Sequence, residues 1–249
     1  MIKIAFLGGK DIGVECLKIL LDKSINLNLK VEGVFPNGAS VIGNKGALEE
    51  ICRDNELPVY HDLEKLLELD IDYIISVQYN KILRKRHIEK AKIMAVNLHM
   101  APLPEYRGCN QFSFAILDEK KEFGTTLHIL DLGVDSGSIL AEMRFPISSK
   151  IWIDELYKLT HNASIELFKN NLVKLIQGEL IPVPQDFLIN TRGTSKHRRV
   201  EINDIKRINP EWSPEKIHKH IRATSMPGYD PAFLEFKSGE RFFLHRVRN

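Results

Sequence analysis

Three cysteines, Cys16, Cys52 and Cys109, are all that 249 residues contain. Their number is odd, and no Cys-x-x-Cys pair occurs. A disulfide framework and a zinc ribbon are thereby excluded, leaving the reduced thiols expected of a cytoplasmic protein. An excess of one charge is lacking too. Lys and Arg number 35 against 33 Asp and Glu, for a formal net charge of +2. Bulk electrostatics therefore gives no reason to expect nucleic acid or an anionic membrane as partner. No apolar run is long enough to span a bilayer, and the one in "MIKIAFLGGK" is too short for a signal peptide. Internal repeats and low-complexity segments are also missing. The glycines of "LGGKDIG" do not have the Gly-x-Gly-x-x-Gly spacing, and the next apolar run, "KVEGVFPN", ends without an acidic residue for a ribose hydroxyl. No Gly-x-x-x-x-Gly-Lys-Ser/Thr loop occurs either. NAD, ATP and a bound metal are not expected.

What is present is ordinary globular composition, 43% hydrophobic and 27% charged, in a chain long enough for a sizeable core. Short apolar runs alternate with helical patterns. Strands are expected at 2–8, 30–37, 58–61, 72–78 and 93–99, then at 124–131 and 139–147. Helices are expected at 14–23, 46–56, 63–69 and 81–92, with a long one ending near Gly178. This rhythm predicts an α/β fold: a mostly parallel, Rossmann-like sheet with helices on both faces. Beyond Gly178 the texture changes. "ELIPVPQDF" reads as extended, "TRGTSKHRR" as a basic loop, "SPEKIHKHIRAT" as a helix opened by Ser-Pro, and 232–247 as a β-hairpin around Gly239. We divide the chain into residues 1–180 and a small appendage, 181–249.

Polar residues crowd the tip of the 93–99 strand, in "NLHMAPLPEYRGCNQ". Residues two apart on a strand face one way, so Asn97 and His99 share a side at the carboxyl edge of the sheet, where open α/β folds place ligands. Asp135 lies between Gly133 and Gly137, in the connection between two later strands. It reaches His99 if those strands neighbour this one. A carboxylate, an imidazole and a carboxamide then divide the work of acyl transfer. The carboxylate orients the imidazole and stabilises its protonated form, and the imidazole takes a proton from the nucleophile. The carboxamide donates to an oxygen that becomes negative, an effect worth roughly 3–4 kcal/mol per donor. No nucleophilic side chain is marked, since Cys109 lies beyond the turn. The nucleophile is therefore expected to be a substrate amine. A lone His at a strand end and an Asn before a turn also have a purely structural reading.

Taken together, "NLHMAPLPEYRG" and "GTTLHILDLGVDSGSIL" resemble the paired signature of the folate-dependent formyltransferases, over most of residues 1–178. The stretch Met100-Ala101-Pro102-Leu103-Pro104 departs from the Ser-Leu-Leu-Pro that often follows the histidine there. The resemblance implies Asn97, His99 and Asp135 as the catalytic set and 10-formyltetrahydrofolate as co-substrate. It places the pterin against Gln78, Tyr79, Ile82 and Leu83 and against the backbone from Asp131 to Asp135.

Three branches of that family compete. The purine-pathway branch lacks the extra C-terminal residues found here. The methionyl-tRNA branch carries a C-terminal barrel, for which the segment after 180 looks short and poor in strands. In the nucleotide-linked sugar branch, "RGCNQFSFAI" and "IRATSMPGYDPAFLEF" have their nearest resemblance. That branch implies a dTDP-linked 4-amino-4,6-dideoxyhexose as acceptor and no nucleic-acid or membrane partner. Asn110 and Gln111 could bind sugar hydroxyls or could cap a helix. Tyr229 and Phe233 could stack on the base or could be core or dimer contacts. The basic loop could be a solvated surface, a diphosphate contact or a nucleic-acid contact. Exposed hairpin aromatics suggest a homodimer. A noncatalytic folate or nucleotide-sugar binder on the same fold is the reading outside this class.

Overall fold

The computed structural model describes residues 1–37 and 46–246. Strand β1 (Ile2–Gly8) shows how the sheet is covered. Its period of two sends Ile4 and Phe6 to one face and Ala5 and Leu7 to the other, and all four are fully buried. Only a strand packed on both sides has that pattern. After it come α1 (Lys10–Ser24), β2 (Leu29–Pro36), α2 (Ala47–Asp54), a 3₁₀ helix at Leu63–Glu68, β3 (Tyr73–Val77), α3 (Lys85–Ile88) and β4 (Met94–His99). Next are β5 (Arg107–Gly108), α4 (Gln111–Leu117), β6 (Glu122–Ile129), β7 (Ile139–Pro146) and α5 (Ile153–Gln177). The sheet order is β2-β1-β3-β4-β6-β7, parallel through β4 and antiparallel at β6 and β7. Helices α1 and α5 cover the Ile4–Phe6 face through Leu17, Leu20, Leu167 and Phe168. The opposite face is covered more thinly, by Leu63 and Leu66 of the 3₁₀ helix with Tyr79 and Leu83 against them.

The α/β architecture with a mostly parallel sheet is as the sequence implies. Two elements differ from expectation. The run at 58–61 is no strand of the sheet, and only Val59 bridges, to Val34. Pro58 has no N–H to offer a ladder, and the Asp62 side chain caps the 3₁₀ helix immediately after it. The helix expected over 81–92 is a single turn, α3. Cations four apart, such as Lys81 with Lys85 and Arg86 with Lys90, repel along a helix and oppose a longer one. Helix α5 ends where Gly178 turns left-handed, at φ 72°, and returns N–H donors to the last carbonyls.

The region after 180 folds back over the same molecule. It contains α6 (Asp186–Arg192), where extended chain was expected, then β8 (Lys196–His197), α7 (Ile202–Lys206) and α8 (Pro214–Thr224), capped by the Ser213 hydroxyl. Strands β9 (Phe233–Glu235) and β10 (Arg241–Phe243) form the hairpin around Gly239, whose φ is 85°. Val247, at the hairpin's expected end, lies outside the described residues. Val183 bridges Ile139, and β8 pairs with β5, so this region lines the end of the sheet where Asp135 lies.

The connection from β6 to β7 is tight enough to need Gly137. A Cβ there would lie 1.9 Å from the Ile129 carbonyl oxygen, a backbone atom that cannot step aside. Gly137→Ala is expected to cost about 1–3 kcal/mol, the usual range for overpacking, and to displace the loop holding Asp135. Urea unfolding measures it; a wild-type midpoint would show that the connection has slack.

Candidate active site

The antiparallel pairing of β4 with β6 brings the polar groups together. Asn97 stands opposite His128 and His99 opposite Thr126. Buried hydroxyls then fix the end of β4. Ser164 of α5 donates to Thr125 Oγ1 at 2.7 Å, and Thr125 donates to the His99 carbonyl at 2.9 Å. Thr126 donates to the Ala101 carbonyl at 2.8 Å and accepts the Leu103 N–H at 3.2 Å, holding the proline turn.

His99 is buried, with Nε2 2.8 Å from the Tyr106 carbonyl oxygen. A carbonyl only accepts, so Nε2 carries the proton and Nδ1 is the basic nitrogen of the neutral ring. Nδ1 lies 3.7 Å from Asp135 Oδ2. The tautomer is thus set by the Tyr106 backbone and not by the carboxylate, as the sequence had suggested. Asp135 instead faces the nitrogen that would receive a proton, where its charge stabilises the imidazolium. Asp135 has a left-handed backbone, φ 49°. Its Oδ2 accepts the Gly108 N–H at 2.9 Å, and Gln185 Nε2 donates to the carbonyls of Asp135 and Gly137 at 2.9 and 2.8 Å. Burial pushes this carboxyl up. The facing His99 and His128 rings, in their protonated forms, and the Gly108 N–H more than offset it, holding the group well below the usual carboxylate range.

His128 and Gln185 went unassigned in the sequence. His128 was visible as the one charged or imidazole side chain within "GTTLHIL", but only the strand register shows that it faces Asn97. Its Nε2 lies 3.1 Å from Asn97 Nδ2 and 3.6 Å from Asp135 Oδ1. Gln185, fully enclosed, comes from the segment after 180, with no local signal.

The residues proposed for the pterin lie on loops near this group. Tyr79, Leu83 and Leu130 pack on the same apolar cluster, so the loops at 78–83 and 130–135 reach one face of the sheet. Ile82 is 87% exposed and Leu132 70%, an open apolar lining that suits a flat heteroaromatic ring. The side-chain carbonyl of Gln78 accepts Lys10 Nζ at 3.0 Å, and its main-chain carbonyl accepts Asn37 Nδ2 at 2.6 Å. Asp131 is turned inward on its own loop, accepting from Ser136 Oγ at 2.7 Å and the Gly133 N–H at 3.0 Å. Its carboxylate shapes the connection.

The candidate acceptor residues separate. Asn110 stands at the N-cap position of α4 in a left-handed conformation, without a capping side-chain bond, and donates to the carbonyls of Arg198 and Arg199 at 2.9 and 3.3 Å, with Gln111 following it as the first residue of the helix. Tyr229 is 46% exposed, whereas Phe233 is 5% exposed, edge-on to Phe243 with the Arg241 guanidinium 4.5 Å above its ring. Phe233 belongs to the hairpin's packing, and its covered ring is not open to stack on a base. The basic segment is not a free loop. Ser195 and His197 carbonyls accept the N–H groups of Arg107 and Cys109, and the His197 ring stacks on Phe114 at 3.4 Å. Among the described residues no group of three or more His, Cys, Asp or Glu is spaced to hold a metal ion, and no helix is long and apolar enough to cross a membrane.

An α/β sheet whose carboxyl edge carries an imidazole, a carboxamide and a half-buried carboxylate is a framework suited to acyl transfer. Residues 3–172 match the formyl transferase family, and the chain belongs to that family; it is a folate-dependent formyltransferase. The chain is 30% identical over 236 residues to the methionyl-tRNA formyltransferase of Clostridium novyi, covering 88% of this chain and 72% of that one. The N-formyltransferase of Helicobacter canadensis, solved with folinic acid and dTDP-3-aminofucose, superposes with a TM-score of 0.77 at 28% identity, covering 95% of this chain and 85% of its own. WlaRD, a sugar 3N-formyltransferase solved with dTDP and 5-N-formyl-THF, gives 0.75 at 25% identity, covering 95% and 83%.

His99→Ala should lower kcat by two to four orders of magnitude, the usual worth of a positioned base, with the fold intact by circular dichroism. Asp135→Asn should also slow turnover. Wild-type turnover in Asp135→Asn would remove the carboxylate from the chemistry. Asp135 itself is ionised throughout the working range. Its contribution to stability is present above the ordinary carboxylate pKa of about 3.9 and is lost only as pH falls through its lower folded value.

Proposed function

We propose that the chain transfers a formyl group from 10-formyltetrahydrofolate to the amine of a nucleotide-linked amino sugar, a dTDP-linked amino-dideoxyhexose. The observation that carries the choice of acceptor is the pair of cations at the catalytic turn. Lys10, the first residue of α1, sits at the carboxyl end of β1. Burial and then the charge of Arg199 push its ammonium below the ordinary value. Neither Lys10 nor Arg199 ion-pairs with another described residue, and Arg107 Nε on the same turn is buried without a partner. Uncompensated cations beside a helix N-terminus favour a diphosphate.

In this reading the donor supplies the formyl carbon. His99 Nδ1 takes the proton that the attacking amine sheds as the new C–N bond forms, Asp135 holds the resulting imidazolium, and the proton passes to N10 of tetrahydrofolate as the donor's C–N10 bond breaks. Asn97 donates to the carbonyl oxygen as it turns negative. The apolar crevice at Ile82 and Leu132 holds the pterin, with Tyr79 and Leu83 beneath it, Gln78 tied to Lys10, and Asp131 shaping the loop. Residues 1–180 carry the chemistry. Residues 181–249 buttress it and contact the nucleotide, with Tyr229 as the stacking ring and Asn110 and Gln111 near the sugar. The protein works in the cytoplasm as a homodimer, in which a second copy covers the exposed Phe236 and Phe242 of the hairpin. Sedimentation velocity checks this, and a monomer at micromolar concentration counts against it.

The 4-amino position implied by the sequence stands beside the 3-amino sugars of the two solved relatives. Methionyl-tRNA is the second reading, favoured by the 30% identity to the clostridial enzyme. Incubation with 10-formyltetrahydrofolate and a panel of 3- and 4-amino dTDP-sugars, beside charged initiator tRNA, separates them. A mass gain of one formyl group on a sugar nucleotide is expected. Formylation of the tRNA alone would overturn the assignment.

A further inference from the structure

His128 lies in the interior of β6, and its two ring nitrogens face different partners. Nδ1 is 2.8 Å from the carbonyl oxygen of Ile129, an acceptor with no proton to give. Nδ1 therefore carries the hydrogen, and in the neutral ring Nε2 is a bare lone pair. That lone pair faces Asn97 at 3.1 Å. Of the two ends of a carboxamide, only the NH₂ can satisfy it. An oxygen turned that way would set lone pair against lone pair in a site where unpaired polar groups are costly. The two histidines hold opposite tautomers, His99 protonated at Nε2 and His128 at Nδ1, each fixed by a backbone carbonyl.

We propose that His128 is a positioning residue for formyl transfer: as a neutral, Nδ1-protonated ring it locks the Asn97 carboxamide with its nitrogen toward His128 Nε2 and its second N–H free for the reacting oxygen. Protonating His128 reverses the lock. Nε2 becomes a donor, the carboxamide must turn its oxygen to meet it, and the donor leaves the place where charge develops. The titratable groups facing His128 are the Asp135 carboxylate, 3.6 Å from Nε2, and the His99 ring, edge-on at 6.3 Å between centroids. Acid therefore removes activity at two points, at His99 as base and at His128 as lock. This inference rests on Asn97 being the oxyanion donor.

The tautomers can be read on the unaltered protein by long-range ¹H–¹⁵N correlation of ¹⁵N-histidine-labelled protein, with His99→Gln and His128→Gln spectra giving the assignments. At the pH of maximal turnover, His128 should show a protonated Nδ1 and an unprotonated Nε2, with His99 the reverse. An Nε2 proton on His128 under those conditions overturns the proposal. The second measurement is kinetic, on whichever acceptor the wild type formylates. His128→Leu cannot accept from Asn97 and should lose about 100-fold in kcat with KM changed less than threefold, as for loss of one oxyanion donor. His128→Gln offers an uncharged acceptor oxygen; it should recover at least tenfold of that loss and show a less steep acid limb. Wild-type kcat in His128→Leu, or an acid limb of unchanged steepness in an active His128→Gln, overturns it too. Failure of the wild type to formylate any acceptor would sink the proposed function, while the tautomer spectra would still test the lock.

Discussion

A carboxylate largely withdrawn from water needs partners, and the half-buried Asp135 organises this molecule for that reason. Its oxygens face the Gly108 N–H of the proline-bearing turn, the His99 ring at the end of β4 and the His128 ring on β6. Its own carbonyl is held by Gln185 from beyond α5. Four separated stretches of chain converge on one residue. The left-handed backbone at Asp135 is the cost of that convergence, and the Gln185 amide and the close packing at Gly137 make the conformation obligatory.

The sheet behind this arrangement is built so that one edge can change direction. Parallel strands β1 to β4 are buried on both faces and are rigid because each alternate residue is packed. At β4 the partner becomes the antiparallel β6, and antiparallel pairing sets side chains directly opposite one another across the ladder. That is how Asn97 comes to face His128. A parallel neighbour at this place would have reached β4 through a long crossover and offered no connecting loop to carry Asp135 back over the same edge.

How much of this was legible follows the physics of each signal. Strands such as Tyr73–Val77 are continuous apolar runs, and α5 is a long periodic pattern ended by Gly178, so both could be read locally. Asn97, His99 and Asp135 were legible because a two-residue spacing fixes a shared face and two glycines mark a loop. His128 was not, since a single imidazole on a strand means nothing until the register says what lies across from it. Strand β8 is two residues of a basic stretch, with no period to reveal its pairing with Arg107–Gly108. Tyr229 and Phe233 looked alike in sequence, and only packing separates the exposed ring from the covered one. The helix expected over 81–92 failed because apolar spacing was counted and like-charge repulsion was not.

The pairing of β5 with β8 bears on how such enzymes can diversify. The region proposed to meet the acceptor also supplies the strand edge for the turn after β4 and, through Gln185, a clamp on Asp135. Exchanging that region for one that prefers another acceptor is therefore no simple graft. An incoming module must bring its own edge for Arg107–Gly108 and its own donor for the Asp135 carbonyl, or the chemistry stops along with the old specificity. New acceptors are then easier to reach by residue changes around a retained clasp, at Tyr229 or along 196–199, than by shuffling whole C-terminal pieces.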